Sequence, residues 1–294
     1  MGKVYHDRDK LEIRERGISV EVRERFAQIV SSPEEQLDLA EAALLIAKEE
    51  QPELDVAAYL HRLDKLAMAV RSRLPDSPTV DDIILNLNIQ LYREGGLRGN
   101  TSAYYDPANS FLNEVLDRKA GIPITLSVIY MEVARRLGLP LVGVGFPGHF
   151  LVKHVGPDGE KVLDPFLGGI ELDKQQLTHK LQTMYGENNP YIAMIPQLLG
   201  AASKKEILIR MLRNLKGLYL QKNDFQRGLS VIDRILLIAP DMAMEIRDRG
   251  GVHHRLGHLQ AALQDFQRYL HLAPNAEDAE AVRTMVRRMT AQLN

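Results

Sequence analysis

The chain has 294 residues and not one cysteine. Without thiols there is no structural disulfide, no thiolate metal site and no cysteine nucleophile. Long apolar runs are also missing. Stretches such as "EAALLIA" fall far short of the roughly 20 residues that cross a bilayer. The opening "MGKVYHDRDKLEIRERG" is charged and has no apolar segment of the secretory kind. Its sixth residue is His6, where a myristoylation signal wants serine or threonine. These absences give the expectation of a cytoplasmic protein with no membrane partner. A concentrated basic stripe is absent too: residues 204–294 hold 15 Lys or Arg against 10 Asp or Glu, and the rest hold 22 against 29. That argues against a nucleic-acid partner.

What is present is an ordinary globular composition, 45% hydrophobic and 26% charged, in a chain long enough for two domains. The expected division is 1–200 and 203–294, joined by the short "LLGAASKKE" rather than a Pro- or Ser-rich tether. The first hundred residues read as helices. "SPEEQLDLAEAALLIAKEEQPEL" has Ser32 and Pro33 placed as N-cap and N1. A second helix is expected across "VAAYLHRLDKLAMAVRSRL". A third covers "TVDDIILNLNIQLYREGG" and closes on Gly95 and Gly96. Asp106 and Pro107 start a short helix that Gly121 ends. Pro123 opens another, with Leu126, Ile129, Tyr130, Val133, Ala134 and Leu137 on one broad face and Gly138 as its cap.

After Gly138 the period changes to two. "LVGVGF" and "HFLVKHV" read as strands, and "GPDG" turns the chain into "EKVLDPF". If Val155 pairs with Glu160, Asp164 lies opposite Leu151 and His149 is its diagonal neighbour on the same face. A slip of one residue would separate them. The fold class expected is therefore α+β, mostly helical, with a small antiparallel sheet.

A helix followed by strands carrying histidine and aspartate in that order resembles the transglutaminase-like (papain-like) superfamily. The wording "YYDPANSFLNEVLDRKAGIPITLSVIYMEVARRLGLPLVGVGFPGHFLV…LDPF" is similar to its bacterial SirB-like branch. Members of that branch carry this core followed by tetratricopeptide-type helices. The resemblance implies a catalytic cysteine at the start of the helix in a G-x-C-x-x-x-A pattern. Laid on this chain, the pattern puts Gly121 on the glycine, Pro123 on the cysteine and Ser127 on the small residue. The base His149 and the acid Asp164 are retained, and the nucleophile they would serve is not. Two readings stay open. One is a non-catalytic adaptor with no cofactor. The other is an amide or ester hydrolase or acyltransferase acting through Ser127, with Thr125 also close. Tyr104, Tyr105 and Asn109 lie in the loop expected to approach the helix start.

The last third repeats with a period of 34. Pro240 and Pro274, Gly217 and Gly251, Leu229 and Leu263, and Phe225 and Leu259 recur at that spacing, which marks tetratricopeptide repeats. Units begin at Ile209 and Ala243, and "AEDAEAVRTMVRRMTAQLN" reads as a capping helix. Two units fall short of the three or so needed for independent stability, so the array is expected to pack on the first domain rather than swing on a linker. By motif position, the groove would be lined by Arg210, Arg213, Arg247, His254 and Arg255. Guanidinium groups bind carboxylates through parallel hydrogen bonds, so the expected partner is a protein or an acidic peptide. Equally open is that these arginines pair with the acidic first domain, whose charge of −7 complements the +5 of residues 204–294. His254 and His258 have zinc-helix spacing but no third ligand, so no metal is expected.

Overall fold

The computed structural model describes residues 20–157 and 159–293. They form two compact units, one of residues 32–211 and one of residues 20–31 with 212–293. Helix α1 (Val20–Ser31) belongs to the second unit.

The first unit begins with helices α2 (Leu39–Lys48), α3 (Val56–Arg71) and α4 (Val80–Asn88). Helix α2 starts later than Ser32 and Pro33 suggested. Residues 33–37 close a turn of their own through Leu37 N to the Pro33 carbonyl. The cap is then supplied by Asp38, whose carboxylate accepts from Glu41 N at 2.9 Å. Asp55 caps α3, and Thr79 with Asp82 forms a reciprocal capping box on α4. Helix α4 runs on as a π-helical turn, Ile89–Glu94, which stops at Gly95 and Gly96.

Two-residue strands β1 (Arg98–Gly99) and β2 (Ala120–Gly121) then pair in parallel. Between them lie a 3-10 turn, Pro107–Ser110, and helix α5 (Leu112–Arg118). Helix α5 ends on Lys119 in the left-handed region, φ 55°, and not on Gly121. Gly121 is needed for space: a Cβ there would approach Val115 to 2.8 Å.

Helix α6 (Pro123–Arg136) is the centre of this unit. The expected apolar face exists, but every residue from Pro123 to Ala134 is buried. An all-round buried helix is a core element, not a surface amphipath. Strands β3 (Val142–Val144), β4 (Leu151–Gly156), β5 (Gly159–Asp164), β6 (Ile170–Glu171) and β7 (Ala201–Ala202) make one antiparallel sheet, ordered β6-β5-β4-β3-β7. Val155 pairs with Glu160 and Val152 with Leu163, the register that places Asp164 opposite Leu151. A 3-10 turn at Pro165–Leu167 follows β5, and helices α7 (Lys174–Tyr185) and α8 (Ile195–Leu198) precede β7.

The unit boundary falls inside helix α9 (Lys204–Gln221), after Met211. The second unit continues with α10 (Phe225–Ile238), α11 (Ala243–Arg255), α12 (Leu259–Leu272) and α13 (Ala279–Leu293). Its core includes Leu229, Ile232, Ile246, Ala262, Phe266 and Tyr269. Gly250 admits Phe266, whose ring would lie 2.9 Å from a Cβ at that position. Helix α1 packs on α10, burying Phe26, Ile29 and Val30. Its Arg23 donates to Ser230 Oγ at 2.9 Å and pairs with Asp233 at 3.7 Å. Among the described residues no helix is long and apolar enough to cross a membrane.

Candidate functional site

His149 ends the "GFPGH" turn, two residues before β4 rather than on a strand as the period suggested. Gly148 makes the turn possible by taking φ +64°, a conformation a side chain would strain. The His149 ring presents Nε2 to both oxygens of Asp164, at 2.9 and 3.0 Å. Facing an ionised carboxylate, Nε2 is the protonated nitrogen. Nδ1 has no hydrogen-bond partner among the described residues.

Asp164 closes β5 and is fully buried. Besides His149 it accepts from Lys180 Nζ at 2.9 Å and from the backbone N–H groups of Phe166 and Leu167. Burial alone would raise its pKa. The hydrogen bonds and charges of His149 and Lys180 more than offset this, and the carboxyl stays below its ordinary value. The turn after it is fixed at Gly169, whose N–H donates to the Asp164 carbonyl at 2.8 Å. The Gly169 carbonyl accepts from Asn88 Nδ2 at 3.0 Å, and Asn88 Oδ1 accepts from Tyr130 at 2.8 Å. Phe166 stands edge-on to the His149 ring, centroids 5.7 Å apart, and lies against Gly99.

The helix start expected to carry a nucleophile has Pro123 at N1, buried and without a side-chain proton. Thr125 is committed elsewhere: its Oγ1 accepts from Ile122 N at 3.2 Å and donates to the Asn109 carbonyl at 2.8 Å. Asn109 in turn holds the carbonyls of Ala103 and Tyr104 through Nδ2 and takes Asn100 Nδ2 on Oδ1. Asn109 therefore shapes the loop and does not face a ligand. The loop presents Tyr104 and Tyr105, whose rings meet edge-on at 5.4 Å, and Tyr104 reaches Phe166 at 6.5 Å. Ser127 is fully buried one turn into α6, and its Oγ points to the Phe150 carbonyl at 3.5 Å.

Motif position puts Arg210 in the repeat groove; in the structure it belongs to the first unit and bonds the histidine turn. Its Nη2 donates to the carbonyls of His149 at 2.5 Å and Phe146 at 3.4 Å, and its guanidinium covers the Phe150 ring at 5.3 Å. The other groove candidates lie in the second unit. Arg213 pairs with Glu245 at 2.8 Å, and Lys216 bridges Glu245 and Asp248. Arg247 pairs with Asp248 at 2.8 Å and Asp278 at 2.6 Å. These guanidiniums are thus matched by acids of their own unit. His254 and Arg255, at the end of α11, are exposed. His258 meets His253 at 3.2 Å, not the His254 of the zinc-type spacing. Among the described residues no group of three or more His, Asp or Glu is placed to hold a metal ion.

Pro123, Ser127, His149 and Asp164 thus belong to one unit, with the histidine and aspartate in direct contact. Sequence reasoning missed Lys180, Asn88 and the bonds of Arg210 to the histidine turn. No spacing marks Lys180 or Asn88, because each reaches the site from a different helix. Chemically, the arrangement can orient an imidazole and offer its free nitrogen. Among the described residues no hydroxyl is hydrogen-bonded to that nitrogen, and Ser127 Oγ points to the Phe150 carbonyl.

Residues 57–213 match the transglutaminase-like superfamily, and residues 215–287 match a tetratricopeptide repeat. A UPF0162 protein of Xylella fastidiosa is 40% identical over 250 residues, covering 85% of this chain and 89% of the relative. A UPF0162 protein of Vibrio cholerae is 32% identical over 256 residues, covering 85% and 92%. Protein SirB1 of Salmonella typhimurium is 26% identical over 225 residues, covering 76% and 82%.

Proposed function

The chain belongs to the UPF0162/SirB1 family of the transglutaminase-like superfamily, and from that premise we propose that it is a non-catalytic binding protein. In this reading a transglutaminase-like domain without a nucleophile serves as a recognition module beside a short tetratricopeptide array. The observation that carries it is the state of the α6 start. Pro123 replaces the nucleophile, no cysteine exists elsewhere in the chain, and Ser127 is buried with its hydroxyl turned to a backbone carbonyl. A serine needs a base at hydrogen-bond distance to react at neutral pH.

A second reading, an amide or ester hydrolase or acyltransferase through Ser127, draws support from one feature. His149 is oriented by Asp164 through Nε2, which leaves Nδ1 in the position of a general base. Incubating the purified protein with a fluorophosphonate probe and with p-nitrophenyl esters separates the two. No labelling and no hydrolysis above background are expected; turnover that disappears in Ser127→Ala would establish the enzyme.

The tetratricopeptide match favours a protein partner. Because Arg213 and Arg247 are neutralised within their own unit, an acidic peptide would engage Arg255 and His254 at the exposed end of α11. A photo-crosslinker at Arg255 should capture that partner, and Arg255→Glu should lose it with unchanged folding. Capture of equal yield by the Arg255→Glu chain would count against this surface. A cytoplasmic setting is part of the same proposal, to be checked by cell fractionation.

A further inference from the structure

Arg210 differs from several other arginines of the chain. Arg136 is paired with Asp64 and Glu132, Arg249 with Asp265 and Asp233, and Arg247 with Asp248 and Asp278. Arg210 is half-buried and has no carboxylate partner among the described residues; only the carbonyls of Phe146 and His149 accept from it. Its Nε and Nη1 donate to nothing described. A cation taken partly out of water without a counter-charge is costly, and two neutral carbonyls do not cancel a full charge. Burial accordingly lowers the Arg210 pKa, while the nearby Tyr104 and Tyr185 hydroxyls act to raise it.

The surroundings form one connected patch. Arg210 bonds the carbonyl of His149, His149 meets Phe166, and Phe166 meets Tyr104. Tyr185 and Met184 flank the same turn, the Tyr185 hydroxyl being 3.8 Å from where a Cβ of Gly148 would stand. Tyr104, Tyr185 and Met184 are exposed by 39, 46 and 42%, so the patch opens to solvent.

We propose that Arg210 and the hydroxyls of Tyr104 and Tyr185, beside the His149 ring, bind a single carboxylate carried on an apolar or aromatic group. Guanidinium N–H and tyrosine O–H groups donate to its oxygens, and the phenylalanine and methionine side chains pack on its apolar part. One uncompensated positive charge matches a monoanion. A phosphate dianion would ask for a second cation, and Lys180 is already committed to Asp164. The inference rests on reading this site as a binding site and names the ligand chemistry it takes. Such a carboxylate could be the end of a peptide chain or a free organic acid.

The full-length protein, labelled on histidine, is titrated by NMR with N-acetylphenylalanine, with 3-phenylpropanoate and with N-acetylphenylalaninamide. For ligands of this size, roughly millimolar dissociation constants are expected. Both acids, or N-acetylphenylalanine alone, should shift the His149 ring signal saturably, and the amide should bind roughly tenfold more weakly or worse. Preference for N-acetylphenylalanine over 3-phenylpropanoate points to a chain terminus; equal binding, or tighter binding of 3-phenylpropanoate, points to a free acid. Arg210→Gln should lose the response. Should that variant not fold, intermolecular NOEs from the ligand phenyl protons to the Tyr104 ring of the unaltered protein give the same answer. No saturable shift by about 10 mM, amide binding as tight as acid, or absence of those NOEs would overturn the proposal. Release of N-acetylphenylalanine from the amide sample would sink the non-catalytic reading instead, so the two failures are distinguishable.

Discussion

Asp164 accepts hydrogen bonds from an imidazole, an ammonium and two backbone amides while fully buried. Removing the carboxylate strands Lys180 and His149, so Asp164→Ala should cost about 3–5 kcal/mol in denaturant unfolding. The pH dependence has a definite sign. The folded carboxyl lies below its ordinary value, so on acidification the unfolded chain takes its proton first, near pH ~3.9. The Asp164 contribution is complete above that value and is lost as pH falls through the lower folded one. In Asp164→Asn, unfolding measured between pH 5 and 2 (roughly the span of such losses) should show a shallower acid limb. Ser127 is the opposite case. Its single long bond to the Phe150 carbonyl predicts that Ser127→Ala changes stability by no more than about 1 kcal/mol. A larger loss would mean the hydroxyl matters to the core in a way this geometry does not provide.

At the level of elements, the site depends on how closely β1 approaches the turn after β5. A Cβ on Gly99 would meet the Phe166 ring at 2.6 Å. Gly99→Ala should therefore cost about 1–3 kcal/mol and move Phe166 off the His149 ring. Thermal melting reads the first effect and the His149 ring-proton shift reads the second. An unshifted ring signal would mean that Phe166 gives way without leaving the histidine. In the repeat unit, Glu245 is almost fully buried between Arg213 and Lys216. Arg213→Glu would set two carboxylates against each other, so it should destabilise that unit and cannot serve as a clean test of groove binding.

Taken whole, the chain brings α1 into the unit formed by the end of α9 and the last four helices. Phe26, Ile29 and Val30 are buried there, and Arg23 reaches Ser230 and Asp233. Each buried apolar side chain of this size contributes about 1.5–3 kcal/mol. Deleting residues 1–31 should lower the unfolding midpoint of this unit, followed by hydrogen exchange at α10, α11 and α12. Unaltered protection would show that the repeats hold without α1. This packing also supplies what two repeats and a cap lack, since each repeat buries its face only against a neighbour.

The sequence by itself determined what is local or periodic. The switch to a period of two after Gly138, Pro123 at the head of α6, the 34-residue repeat and the "GPDG" turn signal between "HFLVKHV" and "EKVLDPF" all depend on neighbours in the chain. The register read from that turn was enough to bring His149 to Asp164 on paper. Helix ends were less legible: Asp38 took the cap from Ser32, and Lys119 ended α5 where glycine was expected, because packing decides which of several competent residues closes a helix. Only the tertiary structure decided what meets the site from afar. Lys180, Asn88 and Phe166 arrive from separate elements, Thr125 and Ser127 turn away to backbone carbonyls, and the Arg210 side chain reaches the histidine turn. Such contacts join residues tens of positions apart, and a hydrogen bond across that distance leaves no period or spacing in the sequence to read.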